Sequence, residues 1–231
     1  MMTGRCTALV IALLVFDDAL TQIDIGSGLR VDLPSVTMKD LRDRNLVRQR
    51  FDFSCGAASL ATLLRFGFGE DVSEPQILDE LFGLLSEEAR EVARETGFSL
   101  LNLQQVAQAR GYRAGGFRLG PDQIAMLGAP VIVYFEPNGY QHFAVLRGVR
   151  DDRVYIADPS RGNVRMPMYR FLESWLQEDG TGIIFVVEPE TGLPGEARAL
   201  SVSGSGLVRP EIMSVREMLN IGQSPGLLSG R

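Results

Sequence analysis

A chain of 231 residues with 45% hydrophobic and 23% charged residues has the make-up of one globular domain with extensions. Its net charge of -6 argues against a partner held through nucleic-acid phosphates. Lys39 is the only lysine, His142 the only histidine, and Cys6 and Cys55 are the only cysteines. That inventory leaves no Gly-Lys-Ser/Thr loop for a nucleotide and too few ligands for a Cys/His zinc site, so neither a cofactor nor a metal is expected.

In chain order, Arg5 precedes an apolar run from Ala8 to Phe16. The run is shorter than the roughly 20 residues that span a bilayer, and it has the form of a secretory signal or N-terminal anchor over residues 1–20. Asp17 and Asp18 follow without a clean cleavage site, and a buried N-terminal element is the alternative. If the signal is removed, Cys6 goes with it. Cys55 is then a lone thiol in an oxidising compartment, tolerated where it is deeply buried or chemically employed. Residues 21–44 read as a linker, broken by Gly26, Gly28 and Pro34 and rich in charge.

From there helices are expected first. Cys55–Phe66 places Leu60, Leu63 and Leu64 on one face, with Asp52 and Ser54 as N-cap candidates. Glu74–Leu85, Glu87–Glu95 and Asn102–Arg110 follow, the last stopped by Gly111. The pattern then changes to strands at Arg113–Leu119, Pro130–Glu136, Phe143–Val149, Val154–Ala157, Val164–Met166 and Gly182–Val187. Short helices at Asp122–Met126 and Tyr169–Gln177 interrupt them. Helices before strands argue an α+β fold with N-terminal helices packed on an antiparallel sheet. Residues 189–231 are Gly/Ser-rich and read as a loosely packed tail, with partner binding or core capping as the alternative and one amphipathic stretch at Ile212–Leu219.

Four residues suggest chemistry. Cys55 stands at a predicted helix N-terminus, whose partial positive charge favours a thiolate, and Gly56 is expected to leave the sulfur uncrowded. Alone, such a cysteine is more often structural. His142 begins a strand in the other half of the chain, and a Cys–His pair distant in sequence is the usual form of thiol activation. Asp158 ends the next strand but one turn, 16 residues on, where a hairpin turning at Asp151-Asp152 brings it beside His142 to orient the imidazole. A turn-forming Asp-Pro is the plain alternative, and Asp151 and Asp152 are rival orienters placed in the turn, away from the histidine. Gln49, six residues before Cys55, carries an amide of the kind that can donate into an oxyanion hole beside the Cys55 backbone N–H, although alone it carries no weight.

The segments QRFDFSCGAASLATLL, QHFAVLRGV and VYIADPSRG together resemble the C39 family of cysteine peptidases over about residues 45–188. The resemblance implies a papain-like fold, Cys55 as nucleophile, His142 as base, Asp158 as its orienter and Gln49 as oxyanion donor. It also implies cleavage of a polypeptide after a small residue such as glycine. With no transmembrane bundle and no nucleotide motif, the chain is similar to standalone exported members, some of which accompany functional-amyloid secretion. The expectation is a periplasmic endopeptidase whose partner is an outer-membrane secretion or amyloid-assembly system. A silent leader-binding module and a papain-fold acyltransferase, in which an amine or thiol replaces water, remain the alternatives.

Overall fold

The computed structural model describes residues 20–24, 30–34, 37–189, 199, 200 and 202. The expected export run Ala8–Phe16 and the amphipathic stretch Ile212–Leu219 lie outside the described residues. Two short strands, β1 (Leu20–Asp24) and β2 (Arg30–Pro34), pair antiparallel within the segment read as a linker. They fall in a unit of their own, distinct from the unit that begins at Met38.

The second unit opens with the short helix α1 (Met38–Arg42) and then α2 (Cys55–Thr62), which continues as a π-helical turn over Leu63–Gly67. Helices α3 (Glu74–Gly83), α4 (Glu87–Thr96) and α5 (Leu100–Ala109) follow. Each of these begins where a serine precedes it. Ser86 and Ser99 accept from the backbone N–H three residues on, and the side chains of Ser73 and Gln76 bond to each other, satisfying groups that a bare helix end would leave open.

The remaining chain forms β3 (Tyr112–Leu119), α6 (Pro121–Ile124), β4 (Val131–Phe135), β5 (His142–Arg150), β6 (Arg153–Asp158), β7 (Gly162–Pro167), α7 (Met168–Trp175) and β8 (Gly182–Pro189). The six strands from β3 to β8 make one sheet in the order β3-β8-β4-β5-β6-β7, antiparallel at every pair. The helices-then-strands order is thus that of an α+β domain.

The uninterrupted apolar run of β4 has a simple cause. Side chains alternate across a strand, and this sheet is covered on both faces. Ile132, Phe143, Val145, Ala157 and Phe185 join the helical core with Leu60, Leu64, Ile77 and Leu103. Val131, Val133, Phe135, Ala144, Leu146, Ile156 and Ile184 join a second core against Phe171 and Trp175 of α7. Trp175 donates its indole N–H to the Ile183 carbonyl at 3.0 Å. Gly182 lies flat under the ring, where a Cβ would sit 2.1 Å from it.

In the expected tail, Leu200 also joins the helical core. Leu200 is fully buried and packs towards Gly67, while Val202 covers Gly148. Arg147 donates to the carbonyls of Leu200 and Ala199, and Asn45 donates to Ala199 at 3.1 Å. Capping the core is what this part of the tail does. Among the described residues no helix is long and apolar enough to cross a membrane.

Candidate active site

Two chain segments cross at one edge of the helix–sheet interface. Residues 46–50 run extended past the start of α2 and are strapped on both sides. The Val47 N–H donates to Thr62 Oγ1 at 2.9 Å, and the Gln49 N–H donates to the Pro159 carbonyl at 3.0 Å. Gln49 is therefore held one residue from Asp158. The chain then turns through Phe51–Ser54 and enters α2 at Cys55, which is 7% exposed.

Gly56 works differently from expectation. It does not open a path to the sulfur; it faces the interior, where a Cβ would lie 3.3 Å from Phe143 and 3.4 Å from Leu103. Its bareness lets α2 lie close against β5, and Ser59 Oγ fixes that approach by donating to the Phe143 carbonyl at 3.1 Å. The first residue of α2 is thereby delivered to the first residue of β5, which is His142.

His142 Nε2 and Asp158 Oδ1 are 3.0 Å apart, and the Cys55 side chain lies close enough to the ring to help raise its pKa. With Nε2 committed to Asp158, Nδ1 is the nitrogen left for sulfur. Phe135 presents its ring edgewise to the imidazole at 5.5 Å between centroids, since the two residues are register partners on β4 and β5. The β5–β6 hairpin turns at Asp151, whose φ is 55°; Asp151 and Asp152 stay at that turn, and Asp158 meets the ring.

Burial disfavours charge on both partners. For His142 the hydrogen bond and charge of Asp158, with those of Cys55, outweigh burial and raise the pKa from 6.5 to about 9. For Asp158 burial is likewise overcome, by the hydrogen bond and charge of His142, by Arg161 and by Ser160, which hold the carboxyl well below the usual carboxylate range. A charged imidazole between a carboxylate and a sulfur is the arrangement of an activated thiol.

Asp158 is itself pinned. Its Oδ1 accepts from the Ser160 N–H at 2.8 Å, Ser160 Oγ at 2.7 Å and the Arg161 N–H at 3.1 Å, and Oδ2 accepts from Arg161 Nε at 2.9 Å. These partners were missed in the sequence. The available signal was an aspartate followed two residues later by a hydroxyl, the pattern of a side chain closing its own turn.

Gln49 donates through Nε2 to the Phe51 carbonyl at 2.9 Å, which uses one of its two amide hydrogens. Ser54 is the N-cap of α2 but makes no side-chain cap bond, so the helix opens with unbonded backbone N–H groups next to the sulfur. The structure thus brings Cys55, His142, Asp158 and the Gln49 backbone into one place. Among the described residues no cluster of His, Cys, Asp and Glu is placed to hold a metal ion.

Residues 43–191 match the Peptidase C39 family. The chain belongs to that family, and this segment is its cysteine peptidase domain. Among curated proteins, a "Probable functional amyloid protease FapD" of Pseudomonas fluorescens is 39% identical over 151 residues, 65% of this chain and 63% of that protein. Its namesake from Pseudomonas aeruginosa is 34% identical over 186 residues, 78% of each chain. Among solved structures, a double glycine motif protease from an AMS/PCAT transporter, in complex with the leader peptide, superposes with a TM-score of 0.51 at 30% identity. That match covers 64% of this chain and 95% of the other. The C39 domain of this chain therefore has a papain-like fold, in which nucleophile and base come from the helical and the sheet halves.

Proposed function

We propose that the protein is a cysteine endopeptidase that cuts a secretion or fibre-assembly polypeptide after a small residue, outside the cytoplasm. The observation that carries the activity is the Cys55–His142–Asp158 chain of contacts, with His142 raised to about 9 and so protonated at neutral pH.

The steps follow from these atoms. The Cys55 sulfur adds to the scissile carbonyl, and the carbonyl π electrons move to oxygen. Gln49 Nε2, through its second hydrogen, and the Cys55 backbone N–H donate to that oxygen. The His142 imidazolium gives its proton to the departing amine, leaving an acyl-enzyme. The neutral ring then takes a proton from water as it attacks the thioester, and Cys55 leaves as thiolate. Asp158 keeps the ring turned with Nδ1 towards sulfur throughout, and stabilises its charged form. A silent peptide-binding module has no need of a buried aspartate with five donors on it.

The substrate class rests on the relatives. Two are named functional amyloid proteases, and a solved neighbour is a double glycine motif protease bound to a leader peptide. Glycine or alanine at the cut suits an extended peptide pressed into a papain-like cleft. Export rests on the apolar run Ala8–Phe16.

The test has two parts. Purified protein and its Cys55→Ala variant are incubated with co-encoded secretion proteins, and the products are weighed by mass spectrometry. A new terminus after glycine or alanine, absent with Cys55→Ala, is expected; uncut partners, or cuts after large or charged residues, refute the substrate class. Residues 1–25 fused to a reporter are expected to carry it to the periplasm, and a cytoplasmic reporter overturns the compartment.

A further inference from the structure

Glu74, the first residue of α3, is a buried acid that no step above uses. It is 1% exposed, and burying a carboxylate is costly unless its oxygens are well paired. Pairing here is one-sided. Oε1 accepts from the Arg50 N–H at 2.8 Å and from Ser54 Oγ at 2.6 Å. Oε2 has no hydrogen-bond partner and meets only Arg50 Nε at 3.7 Å, on a side chain that is 69% exposed. A fold that needed only to fill this space would do so more cheaply with an apolar residue.

What Glu74 holds is the turn between Gln49 and Cys55. Ser54 Oγ lies 2.6 Å from Glu74 Oε1 and 2.8 Å from the Phe51 carbonyl, which compete for its one proton, and it accepts from the Phe51 N–H at 3.1 Å. Ser54 is the N-cap of α2, where a serine ordinarily folds its hydroxyl back onto the N–H groups of the first turn. Here the hydroxyl faces Glu74 and those N–H groups stay open. The same turn presents the Phe51 carbonyl that Gln49 Nε2 uses as its rest at 2.9 Å. Both oxyanion donors named above therefore depend on a turn whose ends, Arg50 and Ser54, are bonded to one carboxylate oxygen.

We propose that Glu74 is a positioning residue for the oxyanion hole. Together with the Phe51 backbone it holds the Ser54 hydroxyl away from the first turn of α2, and it fixes the turn that aims Gln49. This rests on the peptidase reading of Cys55 and Gln49. A donor misplaced by about 1 Å costs on the order of 10²-fold, near the range for losing an oxyanion donor outright.

The experiment separates the oxyanion hole from the thiolate with two reagents on the full chain. Iodoacetamide is displaced by sulfur and builds no oxyanion. The aldehyde acetyl-Gly-glycinal adds the Cys55 sulfur at its carbonyl carbon, placing charge on oxygen, which is then protonated to a hemithioacetal. In Glu74→Ala and in Ser54→Ala, aldehyde affinity is expected to fall about 10- to 100-fold while alkylation stays within about twofold. Glu74→Gln, which keeps an Oε1 acceptor, retains most of the affinity. Combining Glu74→Ala with Gln49→Ala costs less than the product of the two, because they act on one element. Ser54→Ala carries the test if Glu74→Ala does not fold.

Equal losses with both reagents, no loss with either, or multiplying effects overturn the proposal. A wild-type protein that alkylates but captures no aldehyde has no oxyanion hole, and the proposal falls with it. A wild-type protein that captures the aldehyde yet cuts no partner polypeptide loses the proposed substrate, and the role of Glu74 stands.

Discussion

His142 is the chain's only histidine, so its titration is readable as a single imidazole in a 15N-edited NMR spectrum. The raised value of about 9 against the ordinary 6.5 corresponds to about 3 kcal/mol of preference for the charged ring. Burial is the largest single influence and opposes the charge; a charge pair about 4 Å apart at an effective dielectric near 20 supplies about 4 kcal/mol, and the hydrogen bonding of Asp158 and Cys55 adds to it, so that together they outweigh burial. Asp158 contributes more to the rise than Cys55 does. The midpoint is therefore expected near 9 in the wild type, lower in Cys55→Ala, and lowest in Asp158→Asn, where it drops by roughly two pH units or more. Stability follows with a definite sign. The folded value lies above the unfolded one, so the His142 contribution is fully present below pH 6.5 and is lost as pH rises through about 9. The Asp158 contribution, from a carboxyl held low, is present above its unfolded value of 3.8 and is lost on acidification below it. A wild-type midpoint near 6.5, or one unmoved in Asp158→Asn, refutes the buried ion-pair account.

Gln49→Ala is expected to lower kcat for the partner polypeptide about 10²- to 10³-fold while iodoacetamide alkylation holds, measured by single-turnover cleavage; unchanged kcat removes Gln49 from the oxyanion hole. Leu200→Ala opens the helical core and is expected to cost about 2–5 kcal/mol in urea unfolding; a loss near zero means that Leu200 does not cap the core. Gly56→Ala adds a Cβ at 3.3 Å from Phe143 and pushes α2 from β5, so it is expected to slow alkylation at neutral pH as Cys55 loses contact with His142, while leaving the protein folded by circular dichroism. Unchanged alkylation there shows that the close helix–strand approach does not set the Cys55–His142 contact.

The elements were largely legible because two periodicities and good punctuation carry them. Leu60, Leu63 and Leu64 mark α2, whereas α5, expected from Asn102, opens at Leu100 behind the Ser99 cap, a start signal that the sequence reading passed over. The β4 run was legible as a strand, but its burial on both faces needed α7 beneath it. Ser54 and Gly56 show where sequence reading stops. A serine before a helix is read as a cap, yet this one turns to the Phe51 backbone and to Glu74, 20 residues away. A glycine after a cysteine is read as access, yet its job is set by Phe143 on β5. Both errors share one physical source: local rules weigh a residue against its neighbours in the chain, and each of these two also answers to a partner that only the fold brings near.

The same reasoning explains why Cys55, His142, Asp158 and Gln49 could be named early while Ser160, Arg161 and Glu74 could not. In the first group Cys55 and His142 are scarce residue types at the starts of regular elements, and Asp158 and Gln49 are picked out by their spacing from that pair. The second group acts by holding others. Each has a common residue type, and its role depends on a hydrogen bond of 2.6–2.9 Å that a buried carboxylate accepts. Two buried acids divide this work: Asp158 orients the base from the sheet half, and Glu74 anchors the turn before the nucleophile from the helical half. The Gln49 N–H bond to the Pro159 carbonyl ties one bracket to the other. A site assembled this way tolerates little slack between the halves, which accounts for the bare Gly56 face and the Ser59 bond where α2 meets β5.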